Sequence, residues 1–131
     1  MPKKLLLTLI TATWLSSATY AISKDVNQMT QDQLNVLSTV KNMTQSFHNG
    51  DLSGVMRSYE TTAAVAFEPG AITTDTSKIK EAFQGAITLN PKFDYAGHEV
   101  IVSGDLAIHI APWTMQAQMP DGQKVEQSGL S

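Results

Sequence analysis

The 131-residue chain contains no cysteine. That absence excludes disulfides, thiolate metal ligands, a thiol nucleophile and a lipid-anchored export signal. Charged residues are sparse at 16%, and the nine Lys and Arg are scattered without a basic run. Set against twelve Asp and Glu, they gain little from releasing phosphate counterions, which argues against nucleic acid as a partner. Neither G-x-G-x-x-G nor G-x-S-x-G occurs, so the strong signatures of dinucleotide binding and serine hydrolysis are missing. H-E-x-x-H and clustered His/Asp/Glu spacings are absent too, so neither a dedicated metal site nor a cofactor is expected.

Long apolar runs are also scarce. The conspicuous one is residues 5–15, which follows Met1-Pro2-Lys3-Lys4 and precedes the small, polar Ser16-Ser17-Ala18-Thr19-Tyr20-Ala21. It is shorter than the roughly 20 apolar residues that a membrane span needs. The three segments have the order of a secretory signal peptide with cleavage after Ala21, the alternative being an uncleaved anchor. The expectation is therefore an exported protein, periplasmic or secreted, with no membrane association after cleavage. Removing residues 1–21 takes away Lys3 and Lys4 and leaves seven basic against twelve acidic residues, a net charge of −5. Without disulfides, the mature domain must be held by its apolar core alone.

Residues 22–29 are polar and aperiodic and read as a short leader. Thr30-Gln31-Asp32-Gln33 has capping-box form, and Leu34, Val36, Leu37, Val40, Met43 and Phe47 recur at helical spacing until Asn49-Gly50. Asp51 caps a second, short helix through Tyr59. Residues 61–68 and 71–73 read as strands around Pro69-Gly70. A third helix begins near Thr76 or Ser77, with Ile79, Ala82, Phe83, Ala86 and Ile87 on one face, and stops at Asn90-Pro91. Three long strands follow: 93–103, 106–119 and one from Lys124, separated by Gly104-Asp105 and Pro120-Asp121-Gly122. The order α-α-β-β-α-β-β-β predicts one α+β domain over residues 30–131, with helices on one face of an antiparallel sheet. Met43 and Met56 fall on helix core faces, where methionine fills space.

That order, with the string His48-Asn49-Gly50-Asp51-Leu52-Ser53-Gly54-Val55-Met56-Arg57-Ser58-Tyr59, resembles the nuclear transport factor 2-like superfamily. Phe67-Glu68-Pro69-Gly70, Ser103-Gly104-Asp105-Leu106-Ala107, Trp113 and Pro120-Asp121-Gly122 fall where its SnoaL-like branch would put them. The resemblance implies a cone, in which a curved antiparallel sheet wraps around helices and encloses an apolar cavity, a default small-molecule site. The family includes ketosteroid isomerases, but matching their catalytic positions puts Met43 in place of a tyrosine and either Phe67 or Glu68 in place of the base. The third catalytic position falls near Ser131. Methionine cannot donate the required hydrogen bond, so the ketosteroid-isomerase mechanism is disfavoured and catalysis is left open. The family's sheet normally continues beyond the strand begun at Lys124. The resemblance thus implies a domain incomplete at its C-terminus, or one completed by a partner's strand.

The candidate site residues follow from that placement. Tyr59, Phe67, Phe83 and Trp113 are expected beside a small, mostly apolar ligand. Glu68, a carboxylate ending an apolar strand, is the candidate general base of an isomerase or lyase; otherwise it is a solvated side chain beside a turn. His109, in Ala107-Ile108-His109-Ile110-Ala111, is the candidate proton carrier or polar anchor; otherwise it is an ordinary surface or hydrogen-bonded histidine. His48 ends the first helix, where an imidazolium would favour the helix dipole. His98 shows no partner in the sequence. A third reading is a homodimerising module, with alternation exposing Ile108 and Ile110 on the outer face of the sheet.

Overall fold

The computed structural model describes residues 26–131. The expected signal peptide, residues 1–21, lies outside them. After a 3-10 turn at Val26–Gln28 come α1 (Gln31–His48), α2 (Leu52–Met56), β1 (Val65–Glu68), β2 (Ala71–Thr73) and α3 (Thr76–Thr88). Then follow β3 (Lys92–Tyr95), β4 (Glu99–Ser103), β5 (Leu106–Ile110), β6 (Pro112–Gln118) and β7 (Lys124–Leu130). All strand pairings are antiparallel, and the class is α+β. Among the described residues, no helix is long and apolar enough to cross a membrane.

Local chemistry sets the helix ends. The Gln33 amide donates to Thr30 Oγ1 at 3.3 Å, while the Thr30 amide donates to Gln33 Oε1 at 2.9 Å, a reciprocal capping box. The same Gln33 side chain donates to the Val100 carbonyl at 2.6 Å, tying the start of α1 to β4. Asp51 accepts from the Gly54 amide at 2.9 Å, and Asp75 caps α3 through the Ser77 and Lys78 amides. Gly54 is buried where α2 crosses α1, and a Cβ there would stand 2.8 Å from Ser46 Cβ. The Arg57–Asp51 ion pair beside this corner is 3.5 Å long and exposed, so it adds little.

Helix α1 serves two apolar clusters. Its N-terminal half packs Leu37, with Leu34 and Val36, against Met29, Val100 and Val102. Its C-terminal half packs Phe47 and Met43 with Val55, Ile79, Phe83 and Phe93. Leu37, Ile79 and Val100 are each only 2% exposed, and full burial of such a side chain contributes roughly 1.5–3 kcal/mol.

The strands expected over 93–103 and 106–119 are each interrupted, so the last three expected strands are five. β4 and β5 pair from Ser103↔Leu106 to Glu99↔Ile110, and β3 and β6 pair from Tyr95↔Trp113 onward. Between them, Ala96, Gly97 and His98 face Ala111 and Pro112, a bulge with one extra residue on the first strand. Pro112 has no amide hydrogen to continue the ladder, and Ala111 instead exchanges both hydrogen bonds with Ser131, at 2.8 and 3.1 Å. The resulting bend lets one hairpin follow the length of α1, with β4 on its first half and β3 on its second.

Candidate functional site

Aromatic side chains form a continuous chain inside the domain. Phe83, 7% exposed, is its hub, with ring centres 5.1 Å from Tyr59, 5.4 Å from Phe67 and 5.4 Å from Phe47. Phe47 continues to Phe93 at 5.8 Å, and Phe93 to Trp113 at 6.1 Å. Most of these contacts are edge-to-face, the arrangement the ring quadrupole favours. Trp113 lies over the backbone of Gly129, where a Cβ would stand 2.8 Å from the indole Cζ2. The four expected ligand-side residues, Tyr59, Phe67, Phe83 and Trp113, therefore belong to one cluster. Phe67 is its open end, 44% exposed at the bulge in β1.

A polar corner adjoins this wall. Tyr95 shares a face of β3 with Phe93, and its hydroxyl lies 3.4 Å from Thr44 Oγ1. Its ring sits 5.3 Å from His98 and 6.2 Å from His109. His98 Nδ1 and His109 Nε2 meet at 2.9 Å, so one ring donates and the other accepts. Burial lowers the His109 pKa below its ordinary value of 6.5, and neighbouring His98 lowers it further. His98 is lowered by burial and then by Lys41. Both effects favour a neutral pair able to take up or relay a proton. Burial, and secondarily Tyr95, raises the Tyr59 pKa, keeping that phenol a hydrogen-bond donor.

Glu68 follows Phe67, the open end of the aromatic chain, at the end of β1. It is exposed beside the Pro69-Gly70 turn, and no hydrogen bond joins it to His109. His48 differs from its expected role. Its Nε2 accepts from the Phe93 amide at 2.9 Å, which requires an uncharged acceptor nitrogen, and burial followed by Lys92 lowers its pKa. The ring is a strap from α1 to β3 and does not carry a charge for the helix dipole. Tyr95 and His98 are the residues sequence reasoning missed. The signal was present in the Gly104-Asp105 turn: pairing Ser103 with Leu106 puts Val100 opposite His109, which makes His98 the diagonal neighbour of His109.

The hollows in the surface leave most of the aromatic chain aside, though one of them reaches Phe93. One of about 680 Å³ sits between the end of α3 and the β6–β7 turn, lined by Leu89, Asn90, Gln118, Met119 and Val125 among others. It holds no histidine or tyrosine. A second, of about 340 Å³, lies between α1 and β3 and includes Lys41, His48, Tyr95 and His98. It opens onto the polar corner and, of the two, is the one lined by histidine and tyrosine.

No family model matches the chain, and no curated protein matches it in sequence. Solved structures do match in shape. The epoxide hydrolase/cyclase-like enzyme SalBIII, which has a role in pyran ring formation in the polyether salinomycin, aligns with TM-score 0.65. Identity is 12%, over 77% of this chain and 80% of that one. A Xanthomonas campestris protein assigned as a calcium/calmodulin-dependent protein kinase II association domain aligns with TM-score 0.63 and 15% identity, covering 73% of this chain and 70% of that one. A Shewanella frigidimarina protein assigned as a ketosteroid isomerase gives 0.60 and 16%, over 71% and 75%. The α+β order, the bent hairpin on α1 and these three likenesses agree: the chain has the nuclear transport factor 2-like fold, shared with SnoaL-like and ketosteroid isomerase-like proteins.

Proposed function

We propose that this domain binds a small, mostly apolar molecule against the aromatic wall, with the Tyr95–His98–His109 corner meeting its polar group, and that it does so outside the cytoplasm. The observation that carries this reading is a ring chain left open at Phe67. Phe67 offers an exposed apolar face at one end of the ring chain, in contact with Phe83, which in turn packs on the Tyr59 phenol. Export rests on the order of segments in residues 1–21. Native mass spectrometry of the purified protein soaked with mixed apolar metabolites is the test. A retained ligand, lost in Phe67→Asp, is the expected result, and recovery of only the empty protein would count against the reading.

Proton transfer is the second reading, and the neutral histidine pair favours it. If the domain is an isomerase or lyase, His109→Gln should abolish turnover. Glu68→Gln decides whether that carboxylate is the base: an unchanged rate would remove it from the chemistry. The homodimer reading is favoured by the outer face of β4–β5, where Ile101 lies directly opposite Ile108 and Leu106 follows. These side chains are 47%, 59% and 72% exposed. Light scattering should give a dimer that Ile108→Lys dissociates; a monomeric parent chain would end that proposal.

A further inference from the structure

We infer that the groove between α1 and β3 seats a carboxylate, held by the Lys41 ammonium, the Tyr95 backbone amide and the His98 ring, so that the ligand of this domain is a small apolar monocarboxylic acid. The inference rests on the reading above, since it names the polar group that the histidine–tyrosine corner meets. The groove has a volume of about 340 Å³, within the range of small-molecule sites. Phe93 brings the aromatic chain to its lining, so one hollow offers an apolar surface and hydrogen-bond donors together.

The ladder register aims one of those donors. The Ala96 amide donates to the Pro112 carbonyl at 3.0 Å. Hydrogen-bonded residues alternate along an antiparallel strand, so Asp94 and Lys92 turn their amides toward β6 as well, and Phe93 and Tyr95 turn theirs to the opposite edge. On that edge the Phe93 amide donates to His48 Nε2 at 2.9 Å. The Tyr95 amide, two residues on, meets no acceptor among the described residues. His98 Nδ1 is engaged with His109 at 2.9 Å, which leaves Nε2 for the groove. With His109 as the donor in that pair, His98 carries its proton on Nε2 and supplies the second neutral donor.

Most acceptors around the groove are already engaged. The last four carbonyls of α1 accept from the chain itself: those of Gln45, Ser46 and Phe47 from the Asn49, Asp51 and Gly50 amides, and that of His48 from Lys92 Nζ at 3.3 Å. The negative end of the helix is therefore covered. Thr44 Oγ1 donates to the Val40 carbonyl at 3.0 Å and has only a lone pair left for the Tyr95 hydroxyl. The Phe93 and Tyr95 carbonyls share the open edge of β3 and suit a water or a hydroxyl beside the acid. Charge then decides the class of ligand. Among the described residues the single ion pair joins Arg57 to Asp51, so Lys41 has no carboxylate partner. Asp94, the one acidic residue of the lining, alternates to the other face of β3 from Phe93 and Tyr95. Lys41 is the charge that acts on His98, lowering its pKa after burial. One ammonium with two neutral donors balances a monoanion, not the dianion of a phosphate.

Calorimetric titration of the purified full chain with 2-naphthoate, 2-acetylnaphthalene and 2-naphthylmethylamine is the test, since one apolar body then carries a negative, a neutral or a positive head. Hydrogen bonds to a charged group are stronger than those between neutral groups, so the acid should bind at least about tenfold tighter than the ketone. Lys41→Gln should cut that advantage to about twofold or less and leave the ketone's affinity unchanged. Lys41 is exposed on α1, and glutamine is as good a helix former as lysine, so the variant should fold. Equal binding of acid and ketone, a preference for the amine, or an advantage of the acid that survives Lys41→Gln would each overturn the inference, while the aromatic-wall reading would still stand on the ketone. Binding of none of the three would end both.

Discussion

The aromatic interior and the histidine–tyrosine corner lie side by side but are built on opposite terms. In the interior, each ring is held by the others, and no hydrogen bond fixes Phe47, Phe83 or Phe93 through its side chain. In the corner, the polar atoms meet in pairs, and among the described residues no buried side-chain nitrogen or oxygen lacks a partner. The interior contributes stability through area and ring geometry, whereas the corner contributes chemistry at little net gain in stability, because its hydrogen bonds replace those to water. Substitutions should therefore separate folding from function according to which region they touch.

The largest loss is expected at the hub. Phe83→Ala removes three ring contacts at once and should cost about 3–5 kcal/mol, read as a lower urea midpoint with an unchanged slope. An unaffected midpoint would mean that the ring chain is not a mutually supporting unit. Next comes Gly129→Ala, whose added Cβ meets the Trp113 indole. Displacing that ring should cost about 1–3 kcal/mol and weaken the near-ultraviolet dichroism of tryptophan. A third test lies outside both regions: Thr30→Ala deletes one half of the capping box and should cost about 1 kcal/mol in thermal melting. Smallest is Tyr95→Phe in the corner, where loss of a hydroxyl at 3.4 Å from its neighbour should change stability by no more than about 0.5 kcal/mol while altering ligand binding. A loss as large as that at Phe83 would erase the distinction between the two regions.

His48 bridges the two and gives that distinction a pH signature. Its folded pKa is lowered from 6.5, so below that value the unfolded chain binds more protons than the folded one. The stability it contributes is present in full above pH 6.5 and is lost as pH falls through the lowered value, because a protonated Nε2 can no longer accept from the Phe93 amide. The melting temperature should decline on acidification from pH 7 toward 5, and His48→Gln should lessen that decline, the remainder coming from His98 and His109, whose pKa values are lowered as well. An unchanged slope in the variant would show that the strap does not titrate.

Much of the fold was legible because it depends on neighbours in sequence. Thr30 with Gln33, and Asp51 before Gly54, announce their caps within one helical turn. Gly50, Gly70, Gly104 and Gly122 all adopt positive φ at the corners where the sequence had placed turns. The apolar spacing of Leu37, Phe47, Ile79 and Phe83 identified the faces that are buried. The break in the long hairpin was not legible in the same way. Pro112 removes a donor from the ladder, but whether the ladder ends there depends on Ala111 being captured by Ser131, twenty residues later. The site divided along similar lines. Tyr59, Phe67, Phe83 and Trp113 come together through the fold class, whereas the partnership of His98 with His109 needed the hairpin register to be carried across the turn and one residue beyond the regular ladder.

The most direct measurement is a nuclear magnetic resonance titration of the purified protein with 2-acetylnaphthalene, a flat apolar probe with one carbonyl. Binding against the aromatic wall should move the ring resonances of Tyr59, Phe67 and Phe83 saturably, together with those of His98 and His109, and leave the Thr88 and Val125 methyls of the larger hollow still. Shifts confined to Thr88 and Val125, or no shifts at all, would contradict the assignment of the ligand surface to the open end of the ring chain.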